Sequence, residues 1–136
     1  IVGFPGETEE QFEHTFSLLR EMRFDVVHVA AYSPRPGTIA CRKYEDNVPL
    51  EAKRERLNKI ERLQENIAAE INSTYQGKTV EVLVEDKKKG KWYGRTRSDK
   101  LVFYEDNVDQ LGQLVRVRID KASPWALQGK IEYNYQ

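Results

Sequence analysis

The sequence predicts an α+β protein in which a helix-rich part precedes a five-stranded, OB-like β-barrel. Apolar residues recur at helical spacing near residues 8–23 and again over residues 50–75. Residues 76–136 instead contain five short strand-like stretches. Five strands cover a sandwich poorly, whereas closing them into a partly open barrel removes exposed edges. We therefore expect three regions, with boundaries at 1–38, 39–75 and 76–136.

Residues 1–38 predict a strand, a helix and a second strand. Thr8 and Gln11 match a capping box at a helix start. The residues expected to form the buried stripe of this helix are Phe12, Phe16, Leu19 and Met22. The apolar run Val26–Tyr32 is typical of a parallel strand covered on both faces, and His28 within it is expected to be a hydrogen-bonded core residue. Parallel strands end on the same side, so the loops at residues 3–8 and 32–38 should be neighbours.

The second helix should begin near Pro49 and run for about 25 residues, or roughly 37 Å at 1.5 Å per residue. Its apolar stripe comprises Leu50, Leu57, Ile60, Leu63, Ile67, Ile71 and Tyr75. Its acidic and basic residues balance, so we expect its remaining faces to be solvated. We interpret it as a bridge between the two flanking regions.

A basic hairpin, defined as residues 78–100, is the main candidate site. Between Gln76 and Lys100 the chain has eight basic and four acidic side chains, although the whole protein has a net charge of +0. Arginines can bond phosphates and aromatic rings can stack on unpaired bases. The hairpin therefore predicts RNA binding, and the alternative is a solvated turn that protects a strand edge. The predicted contact residues are Lys87, Lys88, Lys89, Lys91, Trp92, Tyr93, Arg95, Arg97 and Lys100.

Adjacent side chains on a strand point to opposite faces, so one of Trp92 and Tyr93 must belong to the core. The sequence does not distinguish which one. Either ring could therefore be the one that faces RNA.

Composition limits the remaining function classes. No apolar run approaches the ~18 residues that a membrane span needs, so no membrane contact is expected. Cys41 is the only cysteine, which rules out an internal disulfide framework and indicates a cytoplasmic protein. Neither His14 nor His28 has a metal-ligand partner at useful spacing. The first residues lack a methionine and lie inside an apolar run, which suggests a segment of a longer polypeptide.

Three stretches resemble one family. They are IVGFPGETEEQF at residues 1–12, YSPRPGT at 32–38, and GKTVEVLVE at 77–85 followed by GRTRSDK at 94–100. Together they resemble the C-terminal part of the radical-SAM methylthiotransferases, closest to the branch that methylthiolates an isopentenylated adenosine beside the tRNA anticodon. The resemblance implies that residues 1–38 end a radical-SAM β/α barrel and that residues 76–136 form a TRAM domain, a small RNA-binding barrel.

The same resemblance implies cofactors and partners. Family members use two 4Fe-4S clusters and S-adenosylmethionine, but the CxxxCxxC set is absent here and one cysteine cannot hold a cluster. We therefore expect this segment alone to bind no cluster and to be inactive. The resemblance places Gly3, Gly6, Tyr32 and Arg35 near the cofactor or substrate, although a plain turn and a surface ion pair are the alternatives. The implied partners are the anticodon region of tRNA and the missing N-terminal part of the chain.

Two other functions stay open at this point. A related branch methylthiolates a ribosomal protein, but acidic residues there replace the pair formed by Arg35 and Pro36, so this sequence favours tRNA. In the second alternative the barrel is a structural module and its lysines are only solvating. Because two strands and one helix cannot cover their own apolar surface, we also expect self-association through residues 26–32.

Overall fold

The computed structural model describes residues 1–133, which form two compact units, one spanning residues 1–67 and the other beginning at Ala68. The elements in chain order are α1 (Glu9–Met22), α2 (Ile39–Lys43), α3 (Leu50–Ser73), β1 (Thr79–Lys88), β2 (Lys91–Arg95), β3 (Leu101–Glu105), β4 (Leu114–Ala122) and β5 (Leu127–Glu132). The division between the units falls within α3. The last three residues of the predicted barrel region lie outside the described residues.

Helix α1 begins at the predicted capping box. The Thr8 hydroxyl accepts a hydrogen bond from the Gln11 backbone amide at 3.2 Å, and the Gln11 side chain accepts one from the Thr8 amide at 3.0 Å. These two bonds satisfy amides that have no partner inside the helix. Phe12 is buried, with Phe16 and Leu19 packed around it, but Met22 at the end of the helix is exposed. The expected stripe is therefore shorter by one residue.

The expected parallel strand at residues 26–32 is reduced to a single parallel bridge between Val2 and Ala31. Burial alternates along it: Val27 and Val29 pack on the cluster around Phe12, whereas Val26 is 58% exposed. The prediction of cover on both faces is thus wrong for these residues, because only one layer of side chains packs on this segment. The prediction for His28 fails for the same reason, since His28 lies on the uncovered face and is exposed.

Helix α3 has 24 residues, close to the predicted length. Ile60 and Ile67 are buried as expected, but Leu50 at its start is 63% exposed. The expectation of solvated charged faces is also wrong in part, because two cationic residues of this helix, Lys53 and Arg56, are buried. Both bond to carboxylates in the first unit, which explains how charged side chains can be buried there.

The five strands close into a barrel in the order β1-β2-β3-β5-β4, with β1 also pairing with β4. All neighbours are antiparallel except β3 and β5, which are parallel. Because side chains alternate along a strand, one set points inward and packs as the core. Its buried members are Val82, Val84, Trp92, Val102, Tyr104, Val115, Val117, Ile119 and Leu127. The predicted five-stranded barrel is confirmed.

Two inward-facing glycines allow neighbouring strands to approach closely. A Cβ atom on Gly94 would lie 1.9 Å from the carbonyl oxygen of Leu83, and one on Gly129 would lie 2.1 Å from that of Arg118. No side chain fits at such distances, so glycine is required at both positions.

Among residues 1–133, no helix is both long enough and apolar enough to cross a membrane.

Candidate nucleic-acid interface

The register of the barrel aligns cationic side chains from four strands on its outer surface. Lys88 on β1 is the direct partner of Lys91 on β2, and Lys130 on β5 is the direct partner of Arg118 on β4. Glu105 on β3 lies between the two pairs, opposite Lys130 and 3.8 Å from the Lys91 ammonium. We call Lys88, Lys91, Lys130 and Arg118 the cationic row.

Both ends of the cationic row place like charges opposite each other. Residues that are direct partners in an antiparallel pair have Cβ atoms about 5 Å apart, and like charges at this distance destabilise the sheet. Lys88, Lys130 and Arg118 are exposed and Lys91 is half-buried, so water partly screens the repulsion. Lys91 and Lys130 also line one groove on the outside of the barrel, in a protein whose net charge is +0. A bound polyanion would relieve the repulsion.

Trp92 is the inward-facing member of the adjacent aromatic pair. It is 7% exposed, and its indole N–H donates a hydrogen bond to the Asp106 carbonyl at 3.2 Å. The Lys87 ammonium lies 5.0 Å from the centre of the indole ring. The RNA-contact prediction for Trp92 is therefore corrected to a core role, and Tyr93 is the ring that faces outward.

Lys100 requires the same correction, because it is only 6% exposed and offers little surface to a partner. Arg97 is exposed but forms an ion pair with Glu81, with two nitrogen–oxygen distances of 2.8 and 3.1 Å. Arg95 donates to the Asp99 carbonyl at 3.2 Å. RNA contact by these two arginines remains a prediction, and each already has an acidic neighbour.

The remaining predicted lysines, Lys87, Lys88 and Lys89, are exposed along the end of β1 and the turn that follows. Lys89 has a φ of 50°, and Gly90 has a φ of 82°. A left-handed glycine is typical of a tight hairpin turn. The turn therefore presents its lysines to solvent beside the cationic row.

Sequence reasoning missed Arg118 and Lys130 as site residues. Arg118 alternates with the buried Val117 and Ile119, so its outward direction could have been predicted from the strand period. Its position beside Lys130 could not, because strand pairing between β4 and β5 sets that contact. Phe103 was also missed, because only the pairing between β2 and β3 places it directly opposite Tyr93.

In the first unit, the bridge between Val2 and Ala31 brings the two predicted cofactor loops together. Gly3 and Gly6 have φ values of 73° and 81°, and their amides donate to the Glu7 and Asn47 side chains, each at 2.8 Å. The Tyr32 ring packs edge-on against Phe4 with ring centres 5.2 Å apart. Arg35 is exposed. Cofactor contact by these four residues remains a prediction.

Two buried cations of α3 hold these loops in place. The Lys53 ammonium binds the Asp46 carboxylate at 2.5 Å and the Tyr32 carbonyl at 3.1 Å. Arg56 bonds the carboxylates of Glu7 at 2.8 Å and Glu9 at 3.0 Å. Although burial alone would lower it, hydrogen bonds from Arg56 to Glu9 and Glu7 raise the Arg56 pKa above its ordinary value. The guanidinium therefore stays charged, and the loops are fixed from the helix side.

The residues present do not fit an iron–sulfur cluster. Cys41, the single cysteine, lies on the short helix α2. In the part of the chain described, no three His, Cys, Asp or Glu side chains are grouped as metal ligands would be. A cluster needs about four thiolate positions, three where one iron site is open. No step of the chemistry can be assigned to a cluster held by these residues.

Asp106 and Tyr104 have shifted pKa values at the end of β3. Burial opposes ionisation of Asp106, but hydrogen bonds from Tyr133, Gln110 and nearby backbone amides lower its pKa below its ordinary value. Burial, followed by the charge of Asp106, raises the pKa of Tyr104 to about 12. The phenol inside the barrel is therefore neutral at physiological pH.

Comparison with known proteins agrees with this architecture. The TRAM domain family matches residues 73–131. A tRNA-2-methylthio-N(6)-dimethylallyladenosine synthase of Chloroflexus aurantiacus is 52% identical over 132 residues, covering 95% of this chain and 28% of the relative. Synthases of the same name from Roseiflexus sp. and Dehalococcoides mccartyi are 54% and 49% identical, covering 95% and 96% of this chain and 28% and 31% of the relatives.

The chain thus spans less than a third of the length of these relatives. It is similar to one part of the tRNA-2-methylthio-N(6)-dimethylallyladenosine synthases over nearly all of its own length, and its residues 73–131 match the TRAM domain family, which confirms the family resemblance that its three motifs indicate.

Proposed function

We propose that this chain is part of a tRNA methylthiotransferase that adds a methylthio group to an isopentenylated adenosine beside the anticodon. The names of its relatives support the reaction and the substrate class. Within that enzyme, the contribution of the barrel is to bind RNA. The observation that carries this role is the cationic row, in which two like-charge pairs from four strands face outward and Lys91 and Lys130 line one groove.

The cationic row suits a phosphate backbone better than it suits a structural role. A row of repelling charges weakens a sheet unless a polyanion neutralises it, and RNA supplies regularly spaced phosphates. The guanidinium of Arg118 can bond a phosphate through two N–H groups, whereas the lysines act as point charges. The row thus positions the RNA backbone and carries no sequence preference of its own.

Residues 1–38 take the role of the end of a radical-SAM barrel. The adjacent loops around Gly3, Gly6, Tyr32 and Arg35 would lie beside S-adenosylmethionine and the target base. The cofactor supplies radical chemistry when bound, and Lys53 and Arg56 hold the two loops in position. Both 4Fe-4S clusters would be held by sequence outside these 136 residues, so the chain alone should be inactive.

The names of the relatives favour tRNA over a ribosomal protein as the substrate. The structural alternative, a barrel that binds no RNA, makes a different prediction for charge-neutralised variants. The test is to measure the affinity of the wild-type chain and of the double variant Lys91→Gln, Lys130→Gln for an RNA stem-loop over a range of salt concentrations.

Each phosphate contact contributes about 0.7–0.9 to the slope of log affinity against log salt. Loss of two contacts should lower affinity and reduce the slope by about 1.5. The matched control, Arg42→Gln with Lys43→Gln, removes two exposed charges on α2 and should leave the slope unchanged. Equal slopes for the wild type and the barrel variant would favour the structural alternative.

A further inference from the structure

A second row of side chains runs beside the cationic row on the same outer surface. Tyr93 on β2 is the direct partner of Phe103 on β3, Phe103 of Gln128 on β5, and Gln128 of Lys121 on β4. Neighbouring strands lie about 4.8 Å apart, so the four side chains follow one another over roughly 14 Å of the curved outer surface of the barrel. We call these four residues the aromatic row.

A β-bulge puts Lys121 into this row. The register of β4 against β5 shifts between Ile119 and Lys121, with Ile119 opposite Gly129 and Lys121 opposite Gln128. Without the bulge, strict alternation would turn Lys121 inward, on the same face as the buried Ile119. Bulges commonly redirect a side chain next to a functional site. Here the bulge brings the exposed Lys121 side chain beside the Gln128 amide, in the row that contains the two rings.

The two rings form a partly exposed platform. The centres of Tyr93 and Phe103 are 5.8 Å apart, with an angle of 48° between the ring planes. Both side chains are half-buried on the outer surface of the barrel, whereas the buried rings Trp92 and Tyr104 point inward. Aromatic rings on the outside of a barrel do not contribute to its core, so their position needs another explanation.

Phe103 also lines a groove of about 440 Å³ on the outer surface. Its other lining residues include Gln128, Lys121, Lys130 and Lys91. Glu105 and Asp120 line it too, so its cations exceed its anions by one. Small-ligand sites typically measure about 300–1,000 Å³, a range that accommodates a nucleotide.

We propose that the aromatic row binds an unpaired nucleotide of a single-stranded RNA segment. The base stacks on Tyr93 and Phe103, the Gln128 amide hydrogen-bonds a base edge, and Lys121 meets a phosphate. This inference rests on the proposed RNA-binding function and adds that the barrel recognises unpaired RNA. A paired base keeps its faces inside the helix, so duplex RNA can reach the cationic row but cannot use the rings.

Two probes separate stacking from charge: a short oligouridine, and a blunt RNA duplex that carries the same number of phosphates. The variants Tyr93→Leu and Phe103→Leu keep an apolar side chain but remove the flat ring, and Tyr93→Phe keeps the ring. All are made in the 136-residue chain, and circular dichroism confirms folding. We expect each leucine variant to bind oligouridine about ten-fold more weakly and the duplex as before. Tyr93→Phe should match the wild type.

A spectroscopic measurement supports the same comparison. A 2-aminopurine base within the single-stranded probe should lose fluorescence on binding the wild type, because stacking quenches it. That quenching should disappear with Phe103→Leu. Unchanged oligouridine affinity in both leucine variants, or an equal loss for the duplex, would overturn the proposal. If the cationic-row variants still lose stem-loop affinity, the proposed function stands in either case.

Discussion

Lys130 and Arg118 face each other as direct partners on adjacent antiparallel strands, so two positive side chains occupy a position where opposite charges would stabilise the sheet. Thr79, the partner of Arg118 on its other side, is uncharged. The pair therefore has a cost to the barrel that a role in binding explains. This relationship predicts that stability and RNA affinity respond in opposite directions to one substitution.

The substitution Arg118→Glu replaces a like-charge pair with an opposite-charge pair. We expect the free energy of unfolding of the barrel to rise by about 0.2–1 kcal/mol while stem-loop RNA affinity falls. Urea denaturation followed by tryptophan fluorescence measures the first change, because both tryptophans lie in the second unit. Arg54→Glu makes the same charge change at an exposed residue of α3 and should alter neither quantity. A less stable barrel with undiminished affinity would contradict this account.

The second prediction concerns the ion pairs that hold the first unit. Arg56→Met leaves the largely buried Glu7 carboxylate without its guanidinium partner. Breaking a buried ion pair by removing one partner typically costs about 3–5 kcal/mol. Hydrogen exchange of residues 1–67 should therefore speed up markedly, whereas Arg54→Met, two residues earlier on an exposed face of α3, should have little effect. Adding Glu7→Gln to Arg56→Met should restore part of the protection from exchange. If exchange neither speeds up in Arg56→Met nor slows again in the double variant, the Arg56–Glu7 ion pair does not hold the first unit.

The third prediction concerns the neutral phenol inside the barrel. The Tyr104 hydroxyl is buried and has no hydrogen-bond partner among the described residues. Tyr104→Phe should leave the barrel equally stable or more stable by about 1 kcal/mol, because an unsatisfied buried polar group costs free energy.

The pH dependence of that phenol has a definite sign. Since the folded-state pKa of Tyr104 is about 12, above the ordinary value of 10.0, the folded protein holds this proton more tightly than the unfolded chain does. Wild-type stability from this group should fall as pH rises from 10 to about 12. The phenylalanine variant should lack this part of the alkaline loss. If stability falls equally with rising pH in the wild type and in the phenylalanine variant, folding does not raise the pKa of Tyr104.

The fourth prediction is self-association through the first unit. Ile1, Leu18, Met22 and Val26 are each more than half exposed, although all are large apolar residues. A second copy of the chain could cover such exposed apolar side chains, and contiguous ones mark interaction surfaces. Light scattering should show concentration-dependent association of the 136-residue chain and a monomer for residues 68–136. If the 136-residue chain and residues 68–136 are both monomers, these exposed side chains do not mediate self-association.

Sequence patterns predicted the elements that depend on local physics. The capping box at Thr8 and the length of α3 each follow from residues close together in the chain. The faces of the barrel depend on pairing between distant strands, so the alignment of Lys130 with Arg118 and of Phe103 with Tyr93 was not predictable. The choice between Trp92 and Tyr93 likewise needed the register. The charge count overestimated how many cations of the basic hairpin are available to RNA, because Lys100 is buried and Arg97 has a carboxylate partner.

RNA binding by the outside of the barrel can be mapped residue by residue. The measurement is amide chemical-shift mapping of the isotope-labelled chain during titration with an RNA stem-loop. We expect shifts concentrated at the cationic and aromatic rows, at Lys91, Tyr93, Phe103, Lys130 and Arg118, with little change at the Leu83 and Leu114 pair on the β1–β4 side. Shifts centred on Leu83 and Leu114, or none at saturating RNA, would contradict it.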